Sequence, residues 1–171
     1  MSRTAIEVLL YLLDQGFDGN EEHSLMGNLR DVRDEDWDWR APGSGRSIRD
    51  IALHAATAKY VYGNQAFGDA SVAWAAGSPE VYARDASVEE GRSLLQDAHG
   101  RFRASVSAVE AVDLQAQRKV HYGGTADTRF IIATMIQHDF YHAGEINHLR
   151  ASRQGTDFWP GTGPAERGVS R

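Results

Sequence analysis

Two histidines one helical turn apart and a glutamate in phase with them are the part of this 171-residue chain best suited to chemistry: His138-Asp-Phe-Tyr-His142-Ala-Gly-Glu145. At roughly 100° per residue, His142 lies about 40° from His138 on a helical wheel, and Glu145 about 20° the other way. The apolar positions Ile131, Met135, Ile146 and Leu149 place this stretch on a helix running from Thr125 to Arg153, with Thr125 or Asp127 as cap. Two imidazoles entering a core are costly unless something satisfies them. A divalent metal does so, because histidines at i and i+4 present ring nitrogens to one point. A lone histidine on such a face is more commonly a hydrogen-bonded core residue. The pair alone does not make a site, and a third ligand from another segment would.

His54 is the candidate for that third ligand. Ser47, with Asp50 three residues on, makes a weaker version of a capping box and starts a helix whose buried face carries Ile51, Ala55, Ala58, Val61 and Tyr62, with His54 among them. The alanines let a facing helix come close. Asp50, one turn before His54, is read as the cap, with orientation of the free ring nitrogen as a lesser alternative. His99 sits at the edge of its stripe and is a weaker ligand candidate. His23, His121 and Tyr122 fall in breaks and loops and are expected to face water. Tyr141 is expected to pack.

The remaining elements follow from periodicity and breakers. Ile6, Leu9, Leu10 and Leu13 mark a first helix from about Thr4; the pattern breaks at Gly16–Asn20 and resumes to about Arg33. Residues 34–46, with Trp37 and Trp39, read as a connection that lids the core. Residues 67–86 are irregular, with a short helical turn expected at Val72–Trp74. Ser87 and Glu90 form a better capping box for a helix expected to reach about Val112. Gln115–Gly124 reads as a polar loop, and no convincing strand is seen. Four main helices with long connections indicate an all-α four-helix bundle over residues 1–153, followed by a breaker-rich tail, 154–171, whose Phe158 and Trp159 could dock on it.

Composition excludes several classes. A formal charge of -6 without a basic stripe argues against a nucleic-acid partner. No run approaches the length of a membrane span, and Met1-Ser-Arg leads straight into an amphipathic pattern rather than a signal peptide. The absence of cysteine removes disulfides, thiolate ligands and a cysteine nucleophile, and fits a cytoplasmic location. Any metal is left to histidine, carboxylate and water.

Ser47-Ile-Arg-Asp-Ile-Ala-Leu-His54, together with His138-x-x-x-His142-x-Gly-Glu-Ile146-x-x-Leu-Arg150, resembles the DinB/YfiT-like superfamily. The resemblance runs from the first helix to about Arg153. It implies a four-helix bundle of up-down-down-up topology, often a homodimer, with a divalent ion such as zinc or nickel held by three histidines. The matching positions are His54, His138 and His142. Several relatives are thiol-dependent S-transferases using bacillithiol or mycothiol, and some isomerise maleylpyruvate with such a thiol. Three neutral ligands leave the ion's charge uncompensated and a position open, so a low-molecular-weight thiol or a water can be activated for transfer or hydrolysis of a small-molecule substrate. Glu145 is expected to fix a ligand histidine or, less favourably, to act as a base.

Three rival readings remain. The metal could be a structural staple in a binding or scaffold protein. The histidines could bond one another with no metal. His138-x-x-x-His142 with His148 also has metzincin protease ligand spacing, but Asp139 stands where the general-base glutamate belongs. On a continuous helix His148 turns about 80° away from His138.

Overall fold

The computed structural model describes residues 3–43, 45–75 and 78–156. Seven α-helices carry these residues: α1 (Thr4–Asp18), α2 (Leu25–Leu29), α3 (Asp34–Trp37), α4 (Ile48–Phe67), α5 (Pro79–Tyr82), α6 (Val88–Ser107) and α7 (Thr128–Gln154). Two short strands, β1 (Gln117–Lys119) and β2 (Thr125–Asp127), precede α7. The Phe158 and Trp159 expectation lies outside the described residues.

Side-chain caps fix where the site-bearing helices begin. The Ser47 hydroxyl accepts the Asp50 N–H at 3.2 Å and Asp50 Oδ2 accepts the Ser47 N–H at 2.8 Å, a reciprocal pair that satisfies two otherwise orphaned donors. Ser87 and Glu90 repeat the arrangement for α6. Asp127, not Thr125, caps α7, accepting the Phe130 N–H at 2.8 Å. At the other end Gly155 takes the left-handed conformation (φ 73°) that closes a helix without a Cβ penalty.

The four long helices pack in a ring: α4 lies against α6 and α7, and α1 against the same two. One apolar cluster joins Ile51, Leu95, Ile146 and Trp37; a second joins Leu13, Ala58, Phe102, Ile131 and Met135. A fully buried side chain of this kind stabilises by roughly 1.5–3 kcal/mol. Trp37 does lid the core: it is 3% exposed, and its indole N–H donates to the Ala86 carbonyl at 2.7 Å. Between α4 and α7 a charged pair is sealed in, with Lys59 Nζ 2.6 Å from Asp139 Oδ2 and both side chains fully buried.

Four local expectations change, the first being that α1 runs on through Gly16 and Phe17, both buried, to Asp18, so the break falls after it and not at Gly16. α6 ends at Ser107, and the chain continues through a 3₁₀ turn at Ala111–Gln115 that keeps Val109 buried without extending the helix. The polar loop before α7 is the turn of an antiparallel hairpin, Gln117 opposite Asp127 and Lys119 opposite Thr125, closed by Gly123 and Gly124 at positive φ. The helical turn in the irregular segment falls at Pro79–Tyr82, where proline occupies the first turn, and not at Val72–Trp74. Among the described residues, no helix is long and apolar enough to cross a membrane.

Candidate metal centre

Mid-α4 supplies His54, and successive turns of α7 supply His138 and His142. Their Nε2 atoms converge: His138 to His54 is 3.2 Å and His142 to His138 is 3.1 Å. One ligand atom from each of the three lies within 4.8 Å of the others. A tetrahedral ion with bonds of about 2.0–2.1 Å to imidazole nitrogens holds them roughly 3.3–3.4 Å apart, within a few tenths of an ångström of what is seen.

The outer nitrogens decide which lone pairs face inward. His54 Nδ1 lies 3.0 Å from Glu80 Oε1, and His142 Nδ1 lies 2.6 Å from Glu145 Oε2. A carboxylate accepts, so each Nδ1 carries the proton and each Nε2 presents a lone pair to the centre. His138 Nδ1 is buried and, among the described residues, has no partner. A proton on its Nδ1 is therefore unsatisfied, and one on its Nε2 can serve only one of the two facing lone pairs. A cation at the centre resolves that conflict, and the donor set fits it.

Burial, followed by repulsion from neighbouring imidazoles, pushes His138 down to about 3; burial, then His54 and Arg46, does the same for His142. Lys59 adds to the pressure on His138. Burial and the neighbouring charges together keep the two rings unprotonated and available as ligands. The centre is not sealed, because the His54 side chain is 24% exposed.

Glu145 is engaged rather than free: besides His142 it accepts Arg46 Nη2 at 2.9 and 3.2 Å. Asp50 is a cap and an ion-pair partner of Arg40 at 2.7 Å, and the carboxylate on His54 is Glu80. His99 stays apart from the cluster. It stacks on Phe17 with centroids 3.8 Å apart, and burial pushes it down to about 4. α7 runs unbroken past Gly144, leaving His148 exposed and outside the triad, which removes the metzincin geometry. His23 is exposed, as expected. His121, expected in water, is half-buried and packs on Trp74 and Tyr62 with centroids 4.8 and 4.7 Å away. Tyr141 is 63% exposed and meets the edge of His142.

Sequence reasoning missed Glu80, Trp74, Arg46 and the Lys59–Asp139 pair. The signals present were Pro79-Glu80 as a helix start and a lysine lying in phase with the alanines of α4.

The sequence model of the DinB superfamily matches residues 21–146, and the chain belongs to that superfamily. The matched span contains all three histidines and both carboxylates that hold them. No curated protein matches the chain.

Proposed function

We propose that the chain binds one divalent ion, zinc or nickel, through His54, His138 and His142 and works as a metal-dependent transferase or hydrolase on a small molecule. The convergence of three Nε2 lone pairs, two of them enforced by carboxylates, carries this reading. When bound, the ion supplies a Lewis-acid charge that makes a water or a low-molecular-weight thiol acidic enough to ionise near neutral pH. The chain has no cysteine, so a thiol in the reaction comes from a cosubstrate.

The protein's own part is orientation. Glu80 and Glu145 hold protons on the outer nitrogens, and Arg46 pins Glu145 in place. Glu145 therefore serves as a positioning residue. The partial exposure of His54 gives a reactant a way in, which favours a catalytic centre over a structural staple.

The scaffold in this reading is an up-down-down-up four-helix bundle. Arg3 bonds the Ser107 carbonyl and Asp14 pairs with Arg103, an order of contacts that supports α1 running antiparallel to α6. Gly16 near the end of α1 sits beside Phe140 in the middle of α7, and Gln154 at the end of α7 bonds the Asp31 carbonyl just beyond α2, an order that supports α1 running parallel to α7.

The test is elemental analysis of protein purified without a histidine tag, wild type beside His54→Ala. The expected result is about one metal per chain, lost in the variant. Wild-type protein that takes up neither zinc nor nickel on incubation would overturn the proposal. Metal that is bound but shows no exchangeable position by spectroscopy of a cobalt-substituted sample would make it a staple.

A further inference from the structure

Glu80 stands apart from the other residues around the centre because nothing in its own helix requires it there. α5 is a single turn in the connection between α4 and α6, yet three contacts bind Glu80 to the site. Its Oε1 takes the His54 Nδ1 proton at 3.0 Å, its Oε2 accepts the Trp74 indole N–H at 2.7 Å, and its backbone N–H donates to Thr57 Oγ1 at 3.1 Å. Thr57 is one turn after His54 on α4 and fully buried. Ser78, also fully buried, donates its hydroxyl to the Trp74 carbonyl at 2.8 Å, tying the two ends of the segment together. The Trp74 ring then lies against the His54 ring itself, with centroids 5.3 Å apart. One edge and one face of a single imidazole are thus controlled by Glu80 and Trp74.

We infer that Glu80 is the positioning residue that selects which nitrogen of His54 faces the centre, and that Trp74 and Thr57 hold it to that task as a clamp. The inference rests on the reading that the three imidazoles hold a metal. The physical case compares the two carboxylates. Glu145 shares its charge with the Arg46 guanidinium, whereas among the described residues the Glu80 carboxylate has, besides His54, only the neutral Trp74 indole N–H as a hydrogen-bond partner. The Glu80 carboxylate is therefore divided between two neutral donors, one of them the His54 N–H, with no guanidinium hydrogen-bonded to it among the described residues. His54 also depends on it more. His138 and His142 are spaced by one turn of the same helix, while His54 comes alone from α4. Without Glu80 its neutral ring is free to take the other tautomer, which turns an N–H instead of a lone pair toward the centre.

The experiment uses full-length protein labelled with ¹⁵N-histidine, stripped of metal, in which long-range ¹H–¹⁵N correlations report each ring's tautomer. Zinc affinity is read in parallel by competition with a chromophoric chelator. In wild type the His54 ring is expected to carry its proton on Nδ1. In Glu80→Ala the proton is expected to move to Nε2 and zinc affinity to fall ten- to a hundredfold. Glu80→Gln preserves size and serves if the alanine variant does not fold. Its one acceptor oxygen cannot stand at both places that the two carboxylate oxygens occupy beside His54 and Trp74, so a smaller loss of affinity is expected. Folded Glu80 variants that keep both the Nδ1–H tautomer and wild-type zinc affinity would overturn the inference alone. A wild type that takes up no zinc overturns the metal reading and this inference with it.

Discussion

Replacing Lys59 with methionine tests the electrostatics between the two ligand-bearing helices. The change keeps an unbranched stem and removes the ammonium 2.6 Å from Asp139 Oδ2. Asp139 is completely buried and, among the described residues, its Oδ1 has no partner. Burial raises the Asp139 carboxyl from its ordinary value of 3.8, while Lys59 pulls it back by charge and hydrogen bond. Losing Lys59 leaves only the upward push, and the carboxyl escapes by protonating. The cost relative to an unfolded chain is then about 1.4 kcal/mol for each pH unit above its ordinary value, about 4 kcal/mol at pH 7 and about 1.5 kcal/mol at pH 5. That agrees with the roughly 3–5 kcal/mol expected for breaking a buried ion pair. The native state of the variant binds the extra proton, so its stability falls as pH rises through this window. Lys59 also opposes protonation of His99 and His138, so its loss eases acid sensitivity there and tilts the difference the same way. The assay is urea unfolding of metal-free protein followed by far-ultraviolet circular dichroism between pH 5 and pH 8. The double variant Lys59→Met/Asp139→Leu is expected to recover most of the loss. A single variant within about 1 kcal/mol of wild type at pH 7, with no dependence on pH, would refute the reasoning.

Other consequences can be checked directly. A Cβ at Gly91 would lie 2.6 Å from Trp37 Cζ2, so Gly91→Ala is expected to destabilise by about 1–3 kcal/mol, read as a lowered Tm. His99 is held down at about 4, so the unfolded chain binds its proton first and stability is lost as pH falls from about 6.5 toward 4. His99→Leu should remove roughly 2 kcal/mol of that acid loss at pH 5, measured as the difference between the two proteins' urea midpoints at pH 7 and pH 5. Ser47→Ala deletes the cap of α4 and is expected to cost about 1 kcal/mol; an unchanged Tm would contradict the capping role.

The clustering of the three histidines was legible because helical phase puts His138 and His142 toward the same stripe and His54 among the alanines of another helix. The carboxylates were half legible. Glu145 is in phase with its histidine, whereas Glu80 reaches His54 across 26 residues from a segment without apolar periodicity. Asp50 had the spacing for either role, and the favoured reading as a cap holds: its carboxylate is consumed by the Ser47 N–H. The hairpin escaped notice because Gln117-Arg-Lys119 and Thr125-Ala-Asp127 carry no alternating apolar face; the pairing is held from outside, by buried Val120 and by Thr128 bonding the Ala116 carbonyl. The over-long third helix has a similar origin. Val109 is buried as its periodicity demands, but burial does not require a helix.

Two of the three converging nitrogens belong to one rigid rod, and the third belongs to another. The centre is thus a gauge of the distance between α4 and α7, which the Lys59–Asp139 contact also spans. A change in that distance of more than a few tenths of an ångström would carry His54 out of reach of a bond to a metal. A lineage could therefore lose its metal with every ligand still in place, and a full set of histidines in a related chain would not by itself mean a working centre.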